Sequence, residues 1–219
     1  PRIFEAGSDV RRRMARYGEL FHELRIFVFA RHDGSEREAQ IDKNVFVHAV
    51  SRSPSSWYPV ARKLLRNGES WTITAQDPFE LGLIGYALAR RYGVPLQLQV
   101  HADFLSPYFQ RESLKNRIRI ILAGFLVKRA DTIRVVSKRV RQSLITRYHI
   151  SITKIVTLPI FVDIDAIRSA PIKIDLHKKY PNYDRIIFMA SRLTREKNIP
   201  LAIRAFQKVV KQYPKALLL

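Results

Sequence analysis

Short apolar runs alternate with amphipathic periods along most of this chain. Residues 25–30, 44–50, 71–75, 96–100, 132–136 and 154–158 are runs of strand length, rich in β-branched and aromatic side chains. Helical periods lie between them. Ser8 can cap a helix whose stripe is Val10, Met14, Tyr17, Phe21 and Leu24. Residues 55–67 place Trp57, Val60, Ala61, Leu64 and Leu65 inward and stop at Gly68. Residues 79–92 carry Leu81, Ile84, Leu88 and Tyr92 on one face and end at Gly93 and Pro95, while Gly82 and Gly85 allow a close neighbour. Residues 111–129 predict a long helix with Leu114, Ile118, Ile121, Leu122 and Phe125 as its apolar stripe, and Ser137 caps another running to about Tyr148. The polar stretch 31–43 reads as a connection. Strands alternating with helices predict βαβ units, hence a Rossmann-like, doubly wound parallel α/β sheet with ligands beyond the strands' carboxyl ends.

The pattern changes character once more near the end. Residues 186–190 read as a buried strand, Asn198 as a helix N-cap, and Pro200 fits the first turn. Ile199, Ala202, Ile203, Phe206, Val209 and Val210 then make one apolar face. The loop between carries Arg192 and Lys197 beside the helix start, where backbone N–H groups point outward. Two cations there suit an anion, with a diphosphate the first candidate. On spacing alone the reading as solvated loop charges is the favoured one. His101 leaves the strand 96–100 into a loop, the place for a functional residue, although a lone His is often structural. Gly7-Ser8 by itself reads as a helix cap.

The 219 residues suffice for one or two domains. With no Cys there is no disulfide framework and no thiolate metal site, and no apolar run approaches the ~18 residues of a membrane span. The formal charge of +20 points to polyanionic partners. Between Arg111 and Lys154 stand twelve Lys and Arg against only Glu112 and Asp131, an excess of ten that is half the net charge. That excess predicts docking on an anionic membrane surface. The chain starts on Pro1 and stops in an apolar run, so it reads as part of a longer protein, inactive by itself.

Several stretches carry a family resemblance. Ser191-Arg-Leu-Thr-Arg-Glu-Lys-Asn198 and the apolar helix after it resemble the second-domain motif of the family 4 retaining glycosyltransferases, enzymes of the two-domain GT-B fold. Residues 76–85 with 96–104, residues 130–137 and residues 158–165 are similar to blocks of the same family's first domain and linker. The resemblance implies a first domain over residues 1–170, with its first strand ahead of Pro1, and the opening of a donor-binding domain over 171–219. It implies that Arg192 and Lys197 hold the diphosphate of a nucleotide-sugar donor. It also implies that His101, with Asp103 second to it, faces the transferred sugar and acceptor, and that Gly7 and Ser8 line the cleft loop. In the linker, Ile160-Phe161 stands where the family often has Asn-Gly. The implied reaction moves a hexose, with retention and without a metal or other cofactor, to a lipid-linked or polysaccharide hydroxyl in cell-envelope synthesis. The place implied is cytoplasmic and peripheral on the cytoplasmic membrane face. The rivals are a basic nucleic-acid-binding module and a non-catalytic scaffold. No zinc-finger, RRM or KH signature favours specific nucleic-acid binding.

Overall fold

The computed structural model describes residues 1–30, 37–66 and 70–219. The predicted helix stop at Gly68 lies outside the described residues. Two compact units divide the chain, Pro1–Trp71 and Thr72–Leu219.

The first unit contains α1 (Asp9–Gly18), β1 (Leu24–Phe29), β2 (Arg37–Asp42), β3 (Val45–Val50) and α2 (Pro54–Leu65). Strand order is β1-β3-β2, with β1 and β3 parallel and β2 antiparallel to β3. β3 is the buried centre: Val45, Val47, Ala49 and Val50 are almost wholly enclosed. His48 is buried beside them and stacks on Phe27 at 5.1 Å. β2 was not legible as a strand because its residues are mostly polar; the backbone ladder to β3 holds it. α1 is also shorter than its apolar stripe suggests. It ends at Gly18, leaving Tyr17 and Phe21 exposed, and Leu24 opens β1. Gly18 is buried against Val45, so a β-carbon there would stand 2.3 Å from a valine methyl.

The second unit begins with β4 (Ile73–Ala75), α3 (Glu80–Tyr92), β5 (Leu96–Val100), α4 (Pro107–Glu112), α5 (Leu114–Arg129), β6 (Thr132–Val135), α6 (Lys138–Tyr148) and β7 (Ile155–Thr157). The four strands form one all-parallel sheet in the order β4-β5-β6-β7. Two short helices follow, α7 (Ile164–Arg168) and α8 (Leu176–Lys179). Then come β8 (Arg185–Ile187), α9 (Ile199–Gln212) and β9 (Ala216–Leu218), with β8 and β9 paired in parallel. The predicted strand at 186–190 is therefore shorter, although Met189 N–H continues the ladder to Leu219 O at 2.8 Å.

Alternation sets the two faces of the four-stranded sheet. Ala75, Leu96, Leu98, Val100, Ile133, Val135 and Ile155 point into one core, closed by Ala89, Ala123, Leu126, Val127, Val140 and Leu144 from α3, α5 and α6. Gly85 lets α3 settle there: a β-carbon would sit 3.2–3.4 Å from Leu96, Ile73 and Ala75. The opposite face carries a polar ladder. Thr74 Oγ1 donates to Gln97 Oε1 at 3.2 Å, Gln99 Nε2 to Thr74 Oγ1 at 3.1 Å, and Arg134 Nη1 to Gln99 Oε1 at 2.9 Å.

One predicted stripe faces the wrong way. Leu114, Ile118, Ile121 and Phe125 of α5 are 73%, 66%, 76% and 40% exposed. The helix buries Asn116, Ala123, Leu126 and Val127 instead. The single predicted helix 111–129 is in fact α4 and α5, broken at Ser113, whose hydroxyl accepts from Asn116 N–H at 3.1 Å. Asn116 ties the break together by donating from Nδ2 to Phe109 O and to Glu112 Oε2, both at 3.0 Å.

Candidate active site

The predicted site residues are held by different local devices. In the first unit Gly7 has φ +75°, a backbone state that L side chains rarely adopt, with open space where a β-carbon would stand. Ser8 is the α1 N-cap: its hydroxyl accepts from Arg11 N–H at 3.3 Å and donates to Arg2 O at 2.6 Å. Ser8 is thus engaged in ending the turn and starting the helix.

In the second unit, parallel β4, β5 and β6 bring the loops after them to one edge of the sheet. His101 follows β5, is exposed, and places Nε2 3.3 Å from Oε1 of Gln76, which follows β4. With that oxygen as acceptor, the neutral ring carries its proton on Nε2 and a lone pair on Nδ1. Desolvation, helped by the Arg134 guanidinium, lowers the His101 pKa from its ordinary value. The imidazole is therefore neutral at pH 7 and, with its N–H given to Gln76, able to accept a hydrogen bond from a hydroxyl at Nδ1. Asp103 shares the loop, but its Oδ2 accepts from Arg139 Nη2 at 2.7 Å, joining the loop after β5 to the start of α6. Its carboxylate is mostly covered while the guanidinium is exposed. Asp103 thus has a positioning role built in, and Gln76 and Arg139 are neighbours that the sequence alone did not single out.

The Arg192 and Lys197 loop follows β8. Arg192 Nη2 donates to Glu196 Oε1 at 3.0 Å, and Lys197 Nζ lies 4.0 Å from the same oxygen. Both cations are exposed and gathered on one carboxylate. Such exposed pairs contribute about 0–1 kcal/mol, so a dianion can displace Glu196 at little cost. Thr194 Oγ1, in the same loop, is buried without a hydrogen-bond partner. Asn198 occupies the N-cap position as expected, but its side chain makes no cap hydrogen bond. Its contribution is conformational: φ is +47°, a left-handed state that Asn tolerates, and its carbonyl accepts from Leu201 N–H at 2.9 Å. The turn Arg195–Lys197 lies alongside α4, the helix reached from the His101 loop. Among the described residues no group of three or more His, Asp or Glu side chains could hold a metal ion.

An all-parallel sheet with polar side chains collected beyond its strand ends defines a Rossmann-like α/β protein. The sequence profile of glycosyltransferase family 4 matches residues 9–166, and the chain belongs to that family. The Arg192–Lys197 loop lies beyond the matched stretch. No curated protein matches the chain. Among solved structures it is similar to Anabaena Alr3699/HepE in complex with UDP-glucose, at 16% identity and a TM-score of 0.51 over 78% of this chain and 46% of that one. An S. aureus MnaA structure with UDP matches at 16% identity and a TM-score of 0.43 over 74% of this chain and 43% of that one. The chain thus spans less than half the length of either.

Proposed function

We propose that this chain is the acceptor side and the opening of the donor side of a nucleotide-sugar-dependent glycosyltransferase, with a domain boundary near Ala170-Pro171. The observation that carries the reading is the pairing of Arg192 and Lys197 on Glu196, in a loop that enters α9 directly after β8. Family membership and the UDP-glucose bound to Alr3699/HepE support it. In this reading the donor diphosphate displaces Glu196, and the two cations neutralise charge that grows on the leaving diphosphate as the glycosidic bond breaks. His101, neutral and hydrogen-bonded to Gln76, orients a hydroxyl of the sugar or acceptor. Asp103, fixed by Arg139, holds the loop that carries it. Gly7 and Ser8 shape the loop entering α1 on the acceptor side. The transferred group is a hexose, moved with retention and without a metal to a glycolipid or glycan hydroxyl. The enzyme works peripherally on the cytoplasmic membrane face, with the basic second unit turned to anionic lipid. Among the described residues no helix is long and apolar enough to cross a membrane.

The test is nucleotide release by the complete protein from a panel of nucleotide sugars. Lys197→Ala should lower the rate about a hundredfold, the usual consequence of removing one charge-stabilising contact. Lys43→Ala, an exposed lysine of the β2–β3 turn, should leave it unchanged. Equal rates for the two variants would remove Lys197 from the site.

A further inference from the structure

Helix α5 buries one stripe and displays a second. At 100° per residue, Asn116, Ala123 and Val127 project towards the sheet. Leu114, Ile118, Ile121 and Phe125 fall within roughly 60° of one another on the opposite side. All four are exposed. An outward row of four large apolar side chains on one helix is not the ordinary scatter of exposed residues.

Its borders are cationic. Arg117 and Lys128 stand on one flank, both exposed. Arg129 stands on the other, with its guanidinium 3.7 Å over the Phe125 ring and donating to Phe125 O at 3.2 Å. Lys115 follows it, 3.3 Å from Glu80. No acidic residue occurs within α5 itself. An apolar row between basic borders matches the chemistry of an anionic bilayer surface, with hydrocarbon below and phosphate at the level of the cations. A protein partner would need an apolar groove rimmed with carboxylates, and a second copy of this chain would bring like charge against like.

We infer that α5 lies in the plane of an anionic membrane and inserts Leu114, Ile118, Ile121 and Phe125 below the headgroups, with Arg117, Lys128 and Arg129 at phosphate level. This goes beyond charge attraction alone. Screening in roughly 1 M salt would release a purely electrostatic complex, whereas an inserted apolar row leaves a salt-resistant part. It also gives the outward stripe an occupant that the core does not.

The experiment is sedimentation of the chain with vesicles of phosphatidylcholine, with and without phosphatidylglycerol; no donor is present, so the outcome is independent of the diphosphate reading. Ile118→Ser with Ile121→Ser should weaken binding to the anionic vesicles about tenfold or more, given the apolar area withdrawn from lipid. Arg117→Glu with Lys128→Glu should weaken it by a similar factor. A separate Ile121→Trp variant does not depend on the serine changes being tolerated. Its fluorescence should shift to the blue on anionic vesicles and be quenched by lipids brominated on the acyl chain. Binding that ignores the two serine changes would overturn the inference, as would equal binding to uncharged vesicles or an unquenched Trp. A lipid-free dimer abolished by the serine changes would assign the stripe to a second copy and overturn it too.

Discussion

Replacing Gly82 by alanine tests how tightly α3 is set against the turn that carries Gln76. A methyl at Gly82 would stand 2.8 Å from the Asp77 carbonyl oxygen, 3.1 Å from Leu126 Cδ1 and 3.3 Å from Leu98 Cδ2. The two leucine methyls can yield by a few tenths of an ångström. The carbonyl is backbone in a turn closed by Phe79 N–H donating to Asp77 Oδ1 at 2.8 Å, and it has no such freedom. Overpacking of this kind costs about 1–3 kcal/mol. Alanine restores about 1 kcal/mol through its better helix propensity. The net expectation is a loss of up to about 2 kcal/mol, or up to about 8 °C in Tm for a chain of this size. Calorimetry reads the stability, and amide exchange should report faster opening of residues 76–79. Because Gln76 meets His101 across the strand ends, nucleotide release by the complete protein should fall as well. A Tm at or above that of the parent, with unchanged exchange at 76–79, would refute the packing argument.

The buried His48 should make the first unit acid-sensitive. Desolvation is the largest cause of its lowered pKa, and Arg25 adds to it against the opposing pull of Glu38 and Glu23. The unfolded chain therefore takes up the proton first, near the ordinary 6.5. Stability is full above that pH and falls as the pH drops from there towards the folded pKa. His48→Gln should flatten the change in denaturation midpoint between pH 7 and 5.5 relative to the parent, and an unchanged slope would exclude His48 as its source. Arg139→Ala, Asp103→Asn and their double variant should show non-additive losses in turnover, because either single change frees the same loop. Strict additivity would mean that the ion pair does not position His101.

The sequence exposed most of the parallel core because its strands are apolar and its caps are distinctive. β5 and α6 fall where Leu96, Val100 and Ser137 place them. β2 escaped because an edge strand held by backbone pairing needs no apolar alternation. In α5, periodicity found a genuine stripe but could not say which side meets the sheet. The packed side uses Asn116, Ala123, Leu126 and Val127, smaller or less regular than the outward row. At the candidate site, the positions of His101, Arg192 and Lys197 were legible as residues in loops after strands. The partners that define their states were not, since Gln76 is 25 residues from His101, Arg139 is 36 from Asp103, and neither spacing carries a local signature.

Titration of the complete protein with inorganic pyrophosphate and with nucleoside diphosphates, followed by phosphorus NMR or calorimetry, addresses the central claim most directly. Arg192→Ala and Lys197→Ala should each weaken binding about tenfold or more, as loss of a charge-assisted contact does, and Lys43→Ala should bind as the parent does. Parent-like affinity in both loop variants would contradict the assignment of this loop to the donor diphosphate.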